Sequence, residues 1–194
     1  MPAASVIIPN WNRREHLERL LGLLARDANL IGEIIVVDNG SRDGSADSAE
    51  RSGARVIRLE RNLGFAAAVN LGIRAAQAEY LAILNNDVEP AAGWLPRLLE
   101  AAGGQGVWFA TGKILNARQR ESIDATFDTI CRGACSWRAG HGRPDSSEWG
   151  QPQPVHLVPF TAAVFRAGLF ERVGLLDERF ESYLEDVDFG LRCA

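Results

Sequence analysis

Between Ser5 and Gly112 the chain alternates short runs of β-branched and apolar residues with runs of helical spacing, and this alternation restricts the fold more than any other feature. SVIIP (Ser5–Pro9), EIIVVD (Glu33–Asp38), RVIRLE (Arg55–Glu60), YLAIL (Tyr80–Leu84) and VWFATG (Val107–Gly112) have the length and residue types of strands. Leu17, Leu20, Leu21 and Leu24 lie on one face of a helix after the first strand. Helical character also marks residues 46–51, the Ala-rich stretch 65–77 and residues 94–102. Asn12, with Glu15 three residues on, has the pattern of an N-terminal capping box. Strands that alternate with helices are joined by right-handed crossovers. The expected fold is therefore α/β, with a parallel sheet and helices on both faces.

In such a sheet, ligands bind in the crevice at the carboxyl ends of the strands. Here those ends carry Pro9-Asn10, Asp38-Asn39, Arg61-Asn62 and Asn85-Asn86-Asp87. A single polar end is explained by a turn, because Asn and Asp are good turn residues. Four consecutive ends of this kind, all facing one edge, point to a site.

The second half breaks the alternation. Residues 117–155 are rich in Arg, Gly, Ser, Pro and Trp without periodicity, as expected of loops and short antiparallel strands. VPFTAAVF (Val158–Phe165) is strand-like, Arg166–Val173 has the pattern of a short helix ended by Gly174, and Asp186–Arg192 is helical in character. A length of 194 residues suits one domain with a full core. The formal net charge of −4 argues against a nonspecific nucleic-acid binder but leaves room for a nucleotide. No apolar run reaches the ~18 residues of a membrane-spanning helix. The start, MPAASVIIPNWNRREH, lacks the features of a signal peptide. Cys131, Cys135 and Cys193 form an odd set, which fits a reduced, cytoplasmic chain. Cys131 and Cys135 have no second pair or nearby His to complete a zinc site.

Taken in order, SVIIPNWNR, IIVVDNGSRDGS, RNLGFAAAVNLGI, LAILNNDVEP and LLDERFESYLEDVDFGLR form a series. Each motif alone is weak, but their order and spacing resemble the family 2 glycosyltransferases from about Ser5 to Arg192, nearest to the bacterial rhamnosyltransferase-like branch. The resemblance implies a GT-A fold: a mainly parallel sheet in a Rossmann-like nucleotide-binding half, about 1–116, and a small mixed or antiparallel acceptor half, about 117–194. It implies an inverting enzyme that uses a nucleoside-diphosphate sugar, with UDP or dTDP favoured. The implied acceptor is a glycan or lipid-linked glycan of surface polysaccharide synthesis, reached from the cytoplasmic side with a peripheral membrane contact.

Residue by residue, the resemblance puts Pro9 and Asn10 along the base, and makes Asp38 the acceptor of the N3–H of uracil or thymine. The weaker alternative for Asp38 is an Asx-turn or a helix cap. Asn62, Gly64 and Asn70 fall near the nucleotide. Gly64 permits an unusual backbone angle or a close approach, and Phe65, Val69 and Ile73 read as core. Asn85-Asn86-Asp87 occupies the DxD motif with Asn in place of the first Asp. Asp87 is then the one carboxylate for Mg²⁺ or Mn²⁺, which suffices where the diphosphate supplies further oxygens. Asn85 suits a ribose hydroxyl, and Glu89 is either a supporting group or a solvated charge. Glu185-Asp186 matches the ED motif and makes Asp186 the general base, although Glu185, Asp186 and Asp188 all suit a helix N-terminus. Asp177-Glu178 reads as structural, and Arg192 suits either a phosphate or Asp188. Family members usually continue past the ED motif, so a C-terminal truncation is expected.

Two rivals are weaker. A sugar-nucleotide nucleotidyltransferase needs a Gly-rich basic loop after the first strand, and PNWNRREH has no Gly. An inactive nucleotide- or glycan-binding module is suggested by Asn85. A dinucleotide-dependent oxidoreductase is excluded because no G-x-G-x-x-G follows the first strand.

Overall fold

The computed structural model describes residues 4–133 and 135–194. Strand β1 (Ala4–Asn10) lies between β2 (Ile31–Asp38) and β4 (Tyr80–Leu84), and β3 (Arg55–Arg58) pairs with the far side of β2. These pairings are all parallel, with Asn10 opposite Asp38 at the carboxyl end. The connections contain α1 (Arg14–Leu24), α2 (Ser45–Arg51) and α3 (Phe65–Ala75). Helix α4 (Trp94–Ala102) leads from β4 to β5 (Phe109–Thr111).

Residues of β1 alternate between two cores. Val6 and Ile8 face the cluster formed with Leu17, Leu20 and Leu99, while Ile7 faces Leu81, Ile83, Phe160 and Phe165 on the other side. Burial on both faces explains why β1 reads as a continuous apolar run. Helix α3 lies so close to β1 that a Cβ on Gly72 would fall 2.3 Å from Ile7 Cγ2.

The sheet departs from the sequence reading at its far edge. The order is β3-β2-β1-β4-β10-β5, with β10 (Ala162–Arg166) antiparallel to both β4 and β5. The strand next to β4 is thus supplied by a much later segment. Local pattern does not encode such a pairing, because it depends on the space left between β4 and β5. Three strands are also shorter than their apolar runs: Val107–Gly112 yields Phe109–Thr111, Val158–Phe165 yields Ala162–Arg166, and Arg55–Glu60 yields Arg55–Arg58.

Between β5 and β10 the chain forms two hairpin-like pairs. They are β6 (Ile114–Leu115) with β7 (Ile123–Ala125), and β8 (Asp128–Ile130) with β9 (Ser136–Arg138). After β10 come α5 (Ala167–Val173), a 3₁₀ turn at Glu178–Phe180 and α6 (Glu185–Cys193). Phe189 of α6 packs on Phe160 and Phe170, with ring centroids 5.4 and 5.1 Å apart. That aromatic cluster fixes α6 against the sheet.

The expected capping box is absent. Helix α1 starts after Arg13 without a side-chain cap. Asn12 instead takes a left-handed conformation (φ 49°), and its Oδ1 accepts from the Arg42 amide at 2.8 Å. The loop after β2 outcompetes the helix for this side chain. No helix among the described residues is long and apolar enough to cross a membrane.

Candidate active site

The carboxyl ends of β1, β2 and β4 are tied together by side chains. Asn10 is 2% exposed. Its Nδ2 donates to Ser45 Oγ at 2.8 Å and to Asp38 Oδ1 at 3.2 Å, and its Oδ1 accepts from Asn86 Nδ2 at 2.7 Å. Asp38 Oδ2 accepts from the Ser41 amide at 3.1 Å, which closes an Asx-type turn. The turn role expected of Asp38 is therefore filled. A carboxylate has about four acceptor positions, so capacity remains for one more donor. Pro9 is buried within β1, opposite Val37.

Asn39 enters the sequence reading only as part of a polar strand end, with no role of its own. It is 5% exposed, and its Nδ2 donates at 2.9 Å to both Asn62 Oδ1 and the Gly64 carbonyl. Its Oδ1 accepts from the Leu63 amide at 2.8 Å. One carboxamide thus organises the whole 62–64 loop. Its place directly after Asp38 was the only signal available.

Gly64 and Asn70 serve other partners than those expected. Gly64 has φ 91°, and a Cβ there would meet the Glu181 carbonyl oxygen at 2.6 Å. The close approach is to the segment leading into α6. Asn70 is fully buried, donating at 2.9 Å to the Leu176 carbonyl and to Glu178 Oε1, and accepting from the Leu176 amide at 3.0 Å. It is a clasp between α3 and the 176–178 turn. The first amides of α3 are occupied in the same way: Ala66 donates to the Glu181 carbonyl and Phe65 to Ser182 Oγ.

A cavity of about 360 Å³ lies where β4 meets the start of α6. Its wall includes Asn85, Asp128, Trp137, Arg138, Glu185 and Asp186. Asn85 and Asp186, remote in sequence, share this space. Asn85 Oδ1 and Glu185 Oε2 are both buried without a hydrogen-bond partner. Buried polar atoms are seldom left so, and both residues line the cavity. Burial pushes the Glu185 carboxyl up to about 7, with the Asp186 charge adding to it. Burial also raises Asp186, against the opposing Val187 amide, which donates to its Oδ1 at 2.8 Å. Asp128, on β8, is raised to about 6 by burial and by the charge of Asp186. Asp128 has no signal in the sequence, because residues 117–155 carry no periodicity to place it.

The loop before α6 is held in an unusual shape. Glu181, Tyr183 and Leu184 all have positive φ, at 56°, 75° and 72°. Each such residue costs on the order of 1 kcal/mol or more and persists only where its surroundings enforce it. Here those surroundings are the first turn of α3 and the Phe189 cluster.

Asp87 is exposed beyond β4 and makes no hydrogen bond or ion pair among the described residues. No group of three His, Cys, Asp or Glu side chains among the described residues gathers to hold a metal. A single free carboxylate fits an ion whose other oxygens come from a diphosphate and water, as is usual for Mg²⁺. Glu89 is a surface charge, paired with Arg19 at 2.8 Å and Arg120 at 3.2 Å. Arg192 donates to Asp188 Oδ2 and to the carbonyls of Val173 and Leu175, which settles it as structural. Asp177 accepts from the Arg179 amide and guanidinium, as expected of a structural turn. A larger hollow, about 570 Å³, runs along Val107–Lys113 and Gln151–Val155 and holds none of the expected site residues.

The sequence pattern of Glycosyl transferase family 2 matches residues 5–174. The chain belongs to this family. Relatives of this family 2 chain include a glycosyltransferase of Haloferax volcanii, 32% identical over 59% of the chain and 40% of the relative. Another is the N-acetylglucosaminyl-diphospho-decaprenol L-rhamnosyltransferase of Mycobacterium tuberculosis, 28% identical over 96% of the chain and 69% of the relative. The fold is GT-A. A mannosyltransferase from Pyrobaculum calidifontis, solved with GDP-Man and Mn²⁺, superposes with a TM-score of 0.70 at 18% identity. It matches all of the family 2 chain, which spans 52% of that structure.

Proposed function

We propose that this chain binds a nucleoside-diphosphate sugar and catalyses inverting transfer of the sugar to a glycan or lipid-linked glycan. UDP or dTDP is the favoured carrier. The observation that carries the reading is the cavity joining Asn85, at the end of β4, to Asp186, at the start of α6. Donor and base must meet in one space for a single displacement, and a cavity shared by Asn85 and Asp186 supports that reading. The first half, about 1–116, takes the donor, and the second, about 117–194, the acceptor.

In this reading Asp38 accepts from the base of the nucleotide with its remaining lone pair, beside Pro9 and Asn10. Asn62 and Gly64 form the loop over the nucleotide. Asn85 meets a ribose hydroxyl, and Asn86 holds β1 and β4 together. Asp87 would hold Mg²⁺ or Mn²⁺ with the diphosphate oxygens, and the ion supplies neutralisation of the leaving charge. Asp186 takes the proton of the acceptor hydroxyl as that oxygen attacks C1 from the face opposite the diphosphate. The C1–O bond breaks, and its electron pair leaves with the nucleoside diphosphate. The name of the M. tuberculosis rhamnosyltransferase supports a lipid-diphosphate acceptor; a peripheral contact at the cytoplasmic face of a membrane is part of the same proposal.

The test is calorimetric titration of UDP, dTDP and GDP with and without Mn²⁺ or Mg²⁺, followed by transfer assays on wild type and Asp186→Asn. Metal-dependent binding of one nucleotide, with transfer lost in Asp186→Asn, is expected. Binding without sugar release in both proteins would leave an inactive binding module.

A further inference from the structure

We propose that Asp128 is a positioning residue for Asp186: its carboxylate, carried to the cavity wall on β8, strengthens the hold of Asp186 on the proton taken from the acceptor. The inference rests on the reading of Asp186 as base.

Asp128 is 8% exposed, and its carboxylate makes no hydrogen bond or ion pair among the described residues. Its backbone is fixed by donation to the Leu157 carbonyl at 3.2 Å and by pairing with Arg138 on β9. Arg138 turns its guanidinium to Asp124 instead, at 3.2 Å, so the charge of Asp128 is left without a direct partner. The wall holds a second acid without a full set of partners. Glu185 is 5% exposed, yet its Oε2 has no hydrogen-bond partner.

The groups around Asp186 come from several elements. Asp128 is on β8, Arg138 on β9, Tyr183 on the preceding loop, and Glu185 beside it on α6. Asp124 lies behind Arg138, with His141 Nδ1 3.9 Å from its carboxylate. Asn85, Phe160 and Thr161 complete the facing side without charge.

Two carboxylates in one buried space repel, and adding a proton to either relieves the repulsion. During transfer the acceptor O–H proton passes to Asp186 as the O–C1 bond forms and the C1–O bond to the diphosphate breaks. The site then holds one acid and one carboxylate instead of two carboxylates. The charge of Asp186 is part of what raises Asp128 to about 6, so above that point two charges share the wall. Above that point Asp186 is the stronger base.

The test measures kcat/KM against pH for wild type, Asp128→Asn, Asp128→Glu and Asp186→Asn. Wild-type activity should rise in two steps, the upper one near pH 6. The upper step, severalfold in height, should vanish in Asp128→Asn and persist in Asp128→Glu, with nucleotide affinity unchanged in both. An upper step that survives Asp128→Asn belongs to Glu185 and overturns the proposal. Carboxyl ¹³C NMR of the substrate-free protein gives a readout independent of activity. The Asp186 resonance should lose its inflection near pH 6 in Asp128→Asn, and an Asp186 resonance blind to that change overturns the proposal. Transfer that survives Asp186→Asn overturns the base assignment itself, a different failure from a persistent upper step.

Discussion

Asn86 Nδ2 donates to Asn10 Oδ1 at 2.7 Å, so two neighbouring parallel strands are joined side chain to side chain at the edge where the donor is expected. The second Asn of the LNNDV stretch faces inward to the sheet, while Asp87 faces out. A buried clasp and a free carboxylate on adjacent residues should respond oppositely to substitution.

Asn10→Ala leaves Asp38, Ser45 and Asn86 short of a partner in a buried setting. It should lower unfolding free energy by about 3 kcal/mol, and Asn86→Ala by about 1 kcal/mol, as read from urea denaturation. Equal and negligible losses in both would show that the network carries no stability.

Asp87→Ala should leave stability within about 0.5 kcal/mol of wild type, because the side chain has no partner to lose. Divalent-dependent nucleotide affinity should fall at least tenfold, measured by calorimetry with and without Mn²⁺. Unchanged metal dependence would move the ion elsewhere.

Gly64→Ala places a Cβ against the Glu181 backbone, with 2.6 Å to its carbonyl oxygen. The segment leading into α6 must shift, whereas the bonds that hold Asp38, to Asn10, Ser41 and Ser45, lie on other residues. Transfer should drop by roughly one hundredfold, the scale of a ~1 Å misplacement, and nucleotide affinity by a smaller factor. Equal losses of binding and transfer would show that the contact with Glu181 adds nothing to the part Gly64 plays in the nucleotide loop.

Glu185 is held at about 7 by burial, above its ordinary 4.5. The folded state therefore binds more protons than the unfolded state between those values, and stability must fall as pH rises through that window. The contribution is complete below the unfolded value and is lost above the folded one. Its size is about 3 kcal/mol for such a displacement. Raised values at Asp128 and Asp186 act in the same direction. Glu185→Gln should flatten the decline between pH 5 and pH 8 in thermal unfolding. A wild-type protein more stable at pH 8 than at pH 5 would contradict the burial of this acid.

The features legible in the sequence were those with local codes. β1, β2 and β4 announced themselves as apolar runs because both faces of the sheet are covered. The polar strand ends are brought together at one edge by Asn10, Asp38 and Asn86, and Glu185-Asp186 lines the cavity. What escaped depended on partners distant along the chain. Insertion of β10 between β4 and β5 answers a gap, not a pattern. Asp128 reaches the wall through a three-residue strand within an aperiodic stretch. Asn39 and Asn70 looked like a turn residue and a ligand contact. Each is a clasp whose partners, at 62–64 and at 176–178, no spacing rule could supply.

The contact between Gly64 and Glu181 is backbone against backbone, and so is the bond from Ala66 to the Glu181 carbonyl. A seam made this way is indifferent to most side-chain exchange around it. The loop at 181–184, and α6 after it, therefore stays tied to α3 by main chain whatever side chains surround the seam.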